Sequence, residues 1–207
     1  MPYVQVSAIG HYPALPSYHR VSDSKKPTLM RLTAMVVLLL LASMKNVGTI
    51  NAQSKVDPEK NLAALGIPLI APVPPTANFV KAVVTGKMVY LSGHGPDKPG
   101  GGQMTGKLGS DLTVEQGQEA ARLVGISLLS SLKAAIKDLN KVKRIVKVLG
   151  LVNAVPTFER HSQVMNGFSD LMVQVFGENG KHARSAIGVG SLPNNIPVEI
   201  EMIVELK

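Results

Sequence analysis

The stretch Val198-Glu199-Ile200-Glu201-Met202-Ile203-Val204-Glu205 alternates: Val198, Ile200, Met202 and Val204 fall on one side, and Glu199, Glu201, Ile203 and Glu205 on the other. Successive side chains of a strand point to opposite faces, so the pattern describes a strand with one face against a core. A sheet of such strands needs an apolar layer on one side only. The segments that could supply that layer lie upstream.

Working back from this strand, Leu192-Pro193-Asn194-Asn195-Ile196-Pro197 is a loop, and Ser185 to Gly190 is a second β-type run. From His161 to Phe176 the apolar residues Val164, Met165, Phe168, Leu171, Met172 and Val175 share one side of a helix, with Gly177 placed to stop it. Arg144 to Val155 holds Ile145-Val146-Lys147-Val148-Leu149-Gly150-Leu151-Val152, a run suited to a buried strand. Before it, Thr113 and Gln116 form a capping-box start, and apolar residues from Ala120 to Ile136 recur at three- and four-residue intervals. That spacing predicts one long helix from about Val114 to Lys137. Phe79–Val84 and Met88–Ser92 flank the turn Thr85-Gly86-Lys87 and read as a hairpin. The resulting order, β-β-α-β-α-β-β, predicts an α+β fold with both helices on a single face of one sheet. Gly95–Gly102 is a loop by composition, and lacks the Lys-Ser/Thr ending of a phosphate-binding P-loop.

Upstream of the hairpin, a short helix-like Pro58–Leu65 leads into the Pro-rich stretch 67–75. Residues 53–75 are therefore expected to be an arm or linker, and 76–207 the domain. The apolar run Leu32–Met44 is shorter than the ~20 residues that cross a bilayer. With Lys25, Lys26 and Arg31 before it and small, polar residues after it, it fits a secretory signal, cleaved near Ala52 or retained as an anchor. A presequence for an organelle, or a buried helix, would share the Leu run. Met30 begins a conventional signal-like segment, so translation is expected to start at either Met1 or Met30. A secreted, periplasmic, membrane-anchored or organelle-targeted location follows from these readings.

The formal net charge is +8 over 207 residues, but much of it is N-terminal. From Gln53 onward there are 17 basic and 13 acidic residues, a balance of +4. With no Trp and 4% aromatic residues, there is little material for stacking bases, and no nucleic-acid partner is expected. The absence of cysteine excludes disulfides and thiolate chemistry. His94, His161 and His182 have no metal-ligand spacing, Ser92 has no nucleophile elbow around it, and neither metal nor cofactor is expected.

Two charged residues stand out against apolar strands. Arg184 precedes Ser185–Gly190, and a guanidinium is the side chain best matched to a carboxylate, through two parallel bonds. Glu199 lies on the last strand, beside Arg184's if Leu192–Pro197 is a hairpin loop, where a carboxylate could orient or deprotonate water. A simple Arg–Glu ion pair is the plainer reading of the same two residues.

The string His182-Ala183-Arg184-Ser185-Ala186-Ile187-Gly188-Val189, followed by Leu192-Pro193 and Val198-Glu199-Ile200-Glu201, resembles the C-terminal signature of the RidA/YjgF family. Leu91-Ser92-Gly93 is similar to that family's Ser-Gly turn, and the helix around Asn166 to its Asn-containing helix. Asn61-Leu62, Leu65-Gly66 and Ala77-Asn78-Phe79 look like the leader of a longer subgroup labelled endoribonuclease L-PSP/chorismate mutase-like. The resemblance implies a chorismate-mutase-like fold, a homotrimer with a central barrel, and ligand clefts between subunits. It also implies hydrolysis of 2-imino or enamino acids to 2-oxo acids and ammonia, with Arg184 holding the carboxylate and Glu199 positioning water. Ser92, Gly93, His94 and Asn166 would line the cleft. Ala186 and His94 stand where the best-known deaminases carry Cys and Gln, so a small-carboxylate-binding protein without turnover is the alternative, followed by an endoribonuclease.

Overall fold

A computed structural model of the chain describes residues 56–69, 71–75 and 77–207. The expected signal or anchor segment Leu32–Met44 lies outside the described residues. Among those described, no helix is long and apolar enough to cross a membrane.

The elements are α1 (Pro58–Ala64), β1 (Ala82–Thr85), β2 (Met88–His94), α2 (Val114–Ile136), β3 (Val142–Asn153), α3 (His161–Phe176), β4 (Ala183–Val189) and β5 (Val198–Leu206). The strands form one sheet in the order β1-β2-β5-β3-β4. Only β3 and β4 run parallel; the other pairs are antiparallel. The helical crossovers β2-α2-β3 and β3-α3-β4 step across the sheet in the same direction. Crossovers of one hand stepping the same way place their helices on the same face, which is why α2 and α3 form a single layer.

Local chemistry explains the helix ends. Thr113 Oγ1 accepts from Gln116 N while Gln116 Oε1 accepts from Thr113 N, the reciprocal capping box that starts α2. At its other end Lys137 takes the left-handed conformation that terminates a helix. α3 stops at Gly177 (φ 59°).

Leu128, Leu129, Leu132, Met165, Phe168, Leu171 and Met172 fill the space between the helices and the sheet, against Val148, Val152, Ile200 and Met202. Each of these residues is fully buried. The two helices approach closely at small residues. A Cβ on Gly167 of α3 would sit 2.0 Å from the backbone oxygen of Gln118 in α2, and one on Gly125 would sit 2.9 Å from Leu171.

Two expectations change. Residues 58–64 are not a detached arm. Asp57 caps α1, Leu62 is buried in the core, Asn61 Nδ2 donates to Val175 O (2.8 Å), and Glu59 pairs with Lys133 (2.5 Å). Nor is Leu192–Pro197 a hairpin loop. β5 leaves β4, passes the end of β3, and inserts between β3 and β2. The alternation of β5 supports this central place, with Val198, Ile200, Met202 and Val204 all at 0% exposure. β4 is left as an edge strand, mostly half-buried or exposed.

Because Gly167 meets backbone rather than a flexible side chain, Gly167→Ala is expected to destabilise the domain by about 1–3 kcal/mol, the usual cost of overpacking. Urea unfolding measures this, with Gly100→Ala as a control, since a Cβ at Gly100 would have open space around it.

Candidate functional site

Register assigns each strand residue to a face. Val148, Gly150 and Val152 of β3 are buried toward the helices, and their partners in β4 are Arg184, Ala186 and Gly188. Arg184 therefore leaves the sheet on the helix side, at its edge, where α3 meets it. Nη1 donates to Asn166 Oδ1 (3.1 Å) and Ser169 Oγ (2.9 Å), and Nη2 to Ser162 O (3.2 Å). A guanidinium has five N–H donors. These three bonds leave Nε–H and one Nη2–H without a partner among the described residues. Nε and Nη2 share one edge of the planar group, the edge that can take a carboxylate in two parallel bonds.

Ser162, Asn166 and Ser169 recur at four- and three-residue spacing along α3, which puts them on one side of the helix, next to its apolar stripe. Sequence reading singled out Asn166 but missed Ser162, Ser169 and His182. The polar stripe was a usable signal, although only β4's position beside α3 explains its use.

Glu199 faces the other way. It pairs with Leu151 in β3, and its side chain rises from the side of the sheet that no helix covers. A Cβ on Gly93 would sit 1.9 Å from Glu199 Oε1, so the carboxylate lies directly over that glycine. β2 loses its regular pairing with β5 between Leu91 and His94, and the irregularity brings Ser92 and Gly93 beside Glu199. Burial, and to a lesser degree the neighbouring Glu201 carboxylate, raises the Glu199 carboxyl above its ordinary value.

His94 does not line a cleft. It is 4% exposed and turned into the helix layer, with Nδ1–H donating to Ser92 O (2.7 Å) and Nε2 bonded to Ser131 Oγ (2.7 Å). Burial lowers its pKa, against the opposing effect of the Ser92 carbonyl. Its place is behind the Ser92–Gly93 irregularity, as a brace.

The expected site residues thus form two groups on opposite faces of one chain: Arg184 with Asn166, and Glu199 with Ser92 and Gly93. With β3 between β4 and β5, and Arg184 and Glu199 offset by three residues along β3, their backbones are about 14 Å apart at ordinary strand spacings. An Arg184–Glu199 ion pair within the chain is ruled out by this geometry. The uncovered face also carries apolar residues, including Val83 (49% exposed), Tyr90 (45%) and Ile187 (48%). Among the described residues no cluster of three or more His, Cys, Asp or Glu could hold a metal ion.

Residues 59–206 match the family described as "YjgF/chorismate_mutase-like, putative endoribonuclease". The chain is 47% identical over 147 residues to Protein TCP17 of Trypanosoma cruzi, covering 70% of this chain and 92% of that protein. Among solved structures it is similar to Atu1372 of Agrobacterium tumefaciens, a protein described as of unknown function, with 40% identity and a TM-score of 0.68, covering 72% of this chain and 92% of that one. A Shewanella oneidensis protein described as a "putative endoribonuclease" shares 30% identity at a TM-score of 0.70, covering 72% and 99%.

Desolvation makes ionised Glu199 a cost that a neutral amide would avoid. Glu199→Gln is expected to raise stability at pH 7. A raised folded-state pKa penalises the folded form increasingly as pH climbs above the ordinary glutamate value, so the gain should fade as pH falls below it. Urea midpoints of both proteins from pH 4 to 7 measure the difference; a constant difference would contradict it.

Proposed function

The chain belongs to the YjgF/chorismate mutase-like family, and from that premise we propose that it hydrolyses 2-imino or enamino acids to 2-oxo acids and ammonia in a cleft between two copies of itself. The observation that carries the proposal is the pair of protons left on Arg184 after three bonds have fixed its guanidinium. They suit a ligand carboxylate. The reacting carbon is bonded to that carboxylate, so clamping one end orients the other.

Glu199 supplies the chemistry. Water oxygen bonds to the C=N carbon as Glu199 accepts the water's proton, and the C=N electron pair moves to nitrogen. The Glu199 carboxylic acid then protonates that nitrogen. Glu199 then takes the hydroxyl proton and passes it to the amino nitrogen, so that C=O forms as the C–N bond breaks and ammonia leaves. A carboxyl whose pKa is raised by burial is a stronger base than an ordinary carboxylate, and its acid form can return the proton it accepts.

A second copy is needed because the two groups lie on opposite faces of the sheet. The uncovered apolar face gives that copy a surface to cover, in line with a homotrimer whose sheets close a barrel. The endoribonuclease reading has less support, given the composition of the folded part and its lack of Trp.

With 2-iminobutanoate generated in situ by an amino-acid oxidase, the wild-type protein should accelerate loss of the imine and Arg184→Ala should not. Glu199→Gln should keep affinity for 2-oxobutanoate while losing turnover. Equal rates for wild type, Arg184→Ala and buffer would reject this activity; retained oxo-acid binding in that case would leave a non-catalytic carboxylate binder. The shared cleft has its own test. Co-assembling Arg184→Ala with Glu199→Gln chains at equal amounts should restore about a quarter of wild-type activity, because random pairing rebuilds an intact cleft at that frequency. A site held within one chain would recover none.

A further inference from the structure

Arg184 is held by Ser169, and Ser169 is held in turn by a residue that never reaches the guanidinium. His182 Nδ1 lies 2.7 Å from the backbone oxygen of Gly180, and His182 Nε2 lies 3.1 Å from Ser169 Oγ. A carbonyl oxygen only accepts, so Nδ1 carries the proton. In the neutral ring Nε2 is then an acceptor, and the proton it receives is that of the Ser169 hydroxyl. With its proton committed to His182, Ser169 Oγ presents lone pairs to Arg184 Nη1, 2.9 Å away. The bonds run in one direction, from Arg184 through Ser169 and His182 to the Gly180 carbonyl.

We propose that His182 is a positioning residue, which sets the direction of the Ser169 hydroxyl and thereby the orientation in which Arg184 offers its two remaining protons to a ligand carboxylate. The ligand part rests on the function proposed above; the relay itself does not.

The surroundings of His182 favour the neutral ring. α3 presents Phe168, edge-on at 5.6 Å between ring centres, and Ser169. β4 contributes the Arg184 cation, and the shallow depression that His182 lines also contains Arg144 of β3, Lys181 and Glu205 of β5. Burial lowers the His182 pKa, the Gly180 bond raises it and Arg184 lowers it, with a net fall. The relay is therefore intact at and above neutral pH. It is lost as pH drops through that lowered pKa, when Nε2 becomes a donor and Ser169 must face two cations.

Gly180 anchors the far end. A Cβ there would sit 2.1 Å from the backbone oxygen of Met172, so the turn after α3 is pressed against the helix and its carbonyl has little freedom. Sequence offers a partial trace of the device, since His182 lies two residues before Arg184 and Ser169 three after Asn166, but the bond directions come only from the fold.

The test is nitrogen NMR on the full chain labelled with 15N. Wild type should show His182 protonated at Nδ1 and bare at Nε2, with slowed rotation of the Arg184 guanidinium. His182→Leu and Ser169→Ala should each release that rotation and weaken 2-oxobutanoate binding about three- to ten-fold, the loss expected for one hydrogen bond. His182→Gln, whose amide oxygen can accept from Ser169 but cannot titrate, should restore both and remove the loosening that wild type shows on acidification. An Nε2-protonated ring, or unchanged Arg184 rotation in Ser169→Ala and His182→Leu, would overturn the relay. If the relay signals appear while wild type and Arg184→Ala bind 2-oxobutanoate equally, the carboxylate clamp fails and the positioning of Arg184 by His182 stands.

Discussion

The insertion of β5 between β2 and β3 is the constraint on which the rest depends. Its inward residues Val198, Ile200, Met202 and Val204 are wholly excluded from solvent, and its two edges are paired along β2 and β3. A strand in that position ties the N-terminal hairpin to the β3-α3-β4 unit, so a single apolar layer can serve both. It also displaces β4 to the edge. Arg184 can meet α3 there without burying an unpaired charge, which would carry a large desolvation cost.

The two halves of the candidate site differ in how they are prepared. Arg184 is tied down by three bonds to α3, one of them backed by His182, before any ligand arrives. Little ordering remains for a ligand to impose. Glu199 is instead left over Gly93, half-buried and near a second carboxylate, in surroundings that disfavour its charge. Under the proposed function, restraint suits the group that holds the carboxylate, and a destabilised anion suits the one that exchanges a proton.

The helix layer and the uncovered face also divide their roles. Glycines at the α2–α3 contact let the helices approach until Gly167 meets the backbone of Gln118 and Gly125 meets the Leu171 side chain, giving β4 and the turn at Gly180 a firm support. The uncovered face retains Tyr90, Val83 and Ile187 beside Glu199 and Glu201, a mixture that neither a solvated surface nor a finished core would carry. His94, braced between Ser92 and Ser131, connects the two layers and supports the irregularity in β2 on which Glu199 rests.

Much of this was legible before any coordinates. The three- and four-residue spacing from Val114 onward, the capping pair Thr113 and Gln116, and the alternation from Val198 are local patterns, and they placed both long helices and the last strand to within a residue or two. Arg184 and Glu199 stood out because the first sits just before an apolar strand and the second interrupts one. Strand partners could not be read in the same way. The segment Leu192–Pro197 is as compatible with a hairpin as with a passage over β3, because pairing is decided by which edge is vacant and which faces are apolar across the whole sheet. For the same reason the sequence singled out Arg184 and Glu199, while only the tertiary structure put them on opposite faces, turned His94 inward, and aligned Ser169 and His182 behind Arg184. Side-chain periodicity is a property of a few neighbouring residues; the direction of a hydrogen bond between α3 and β4 exists only once both have packed on the same sheet.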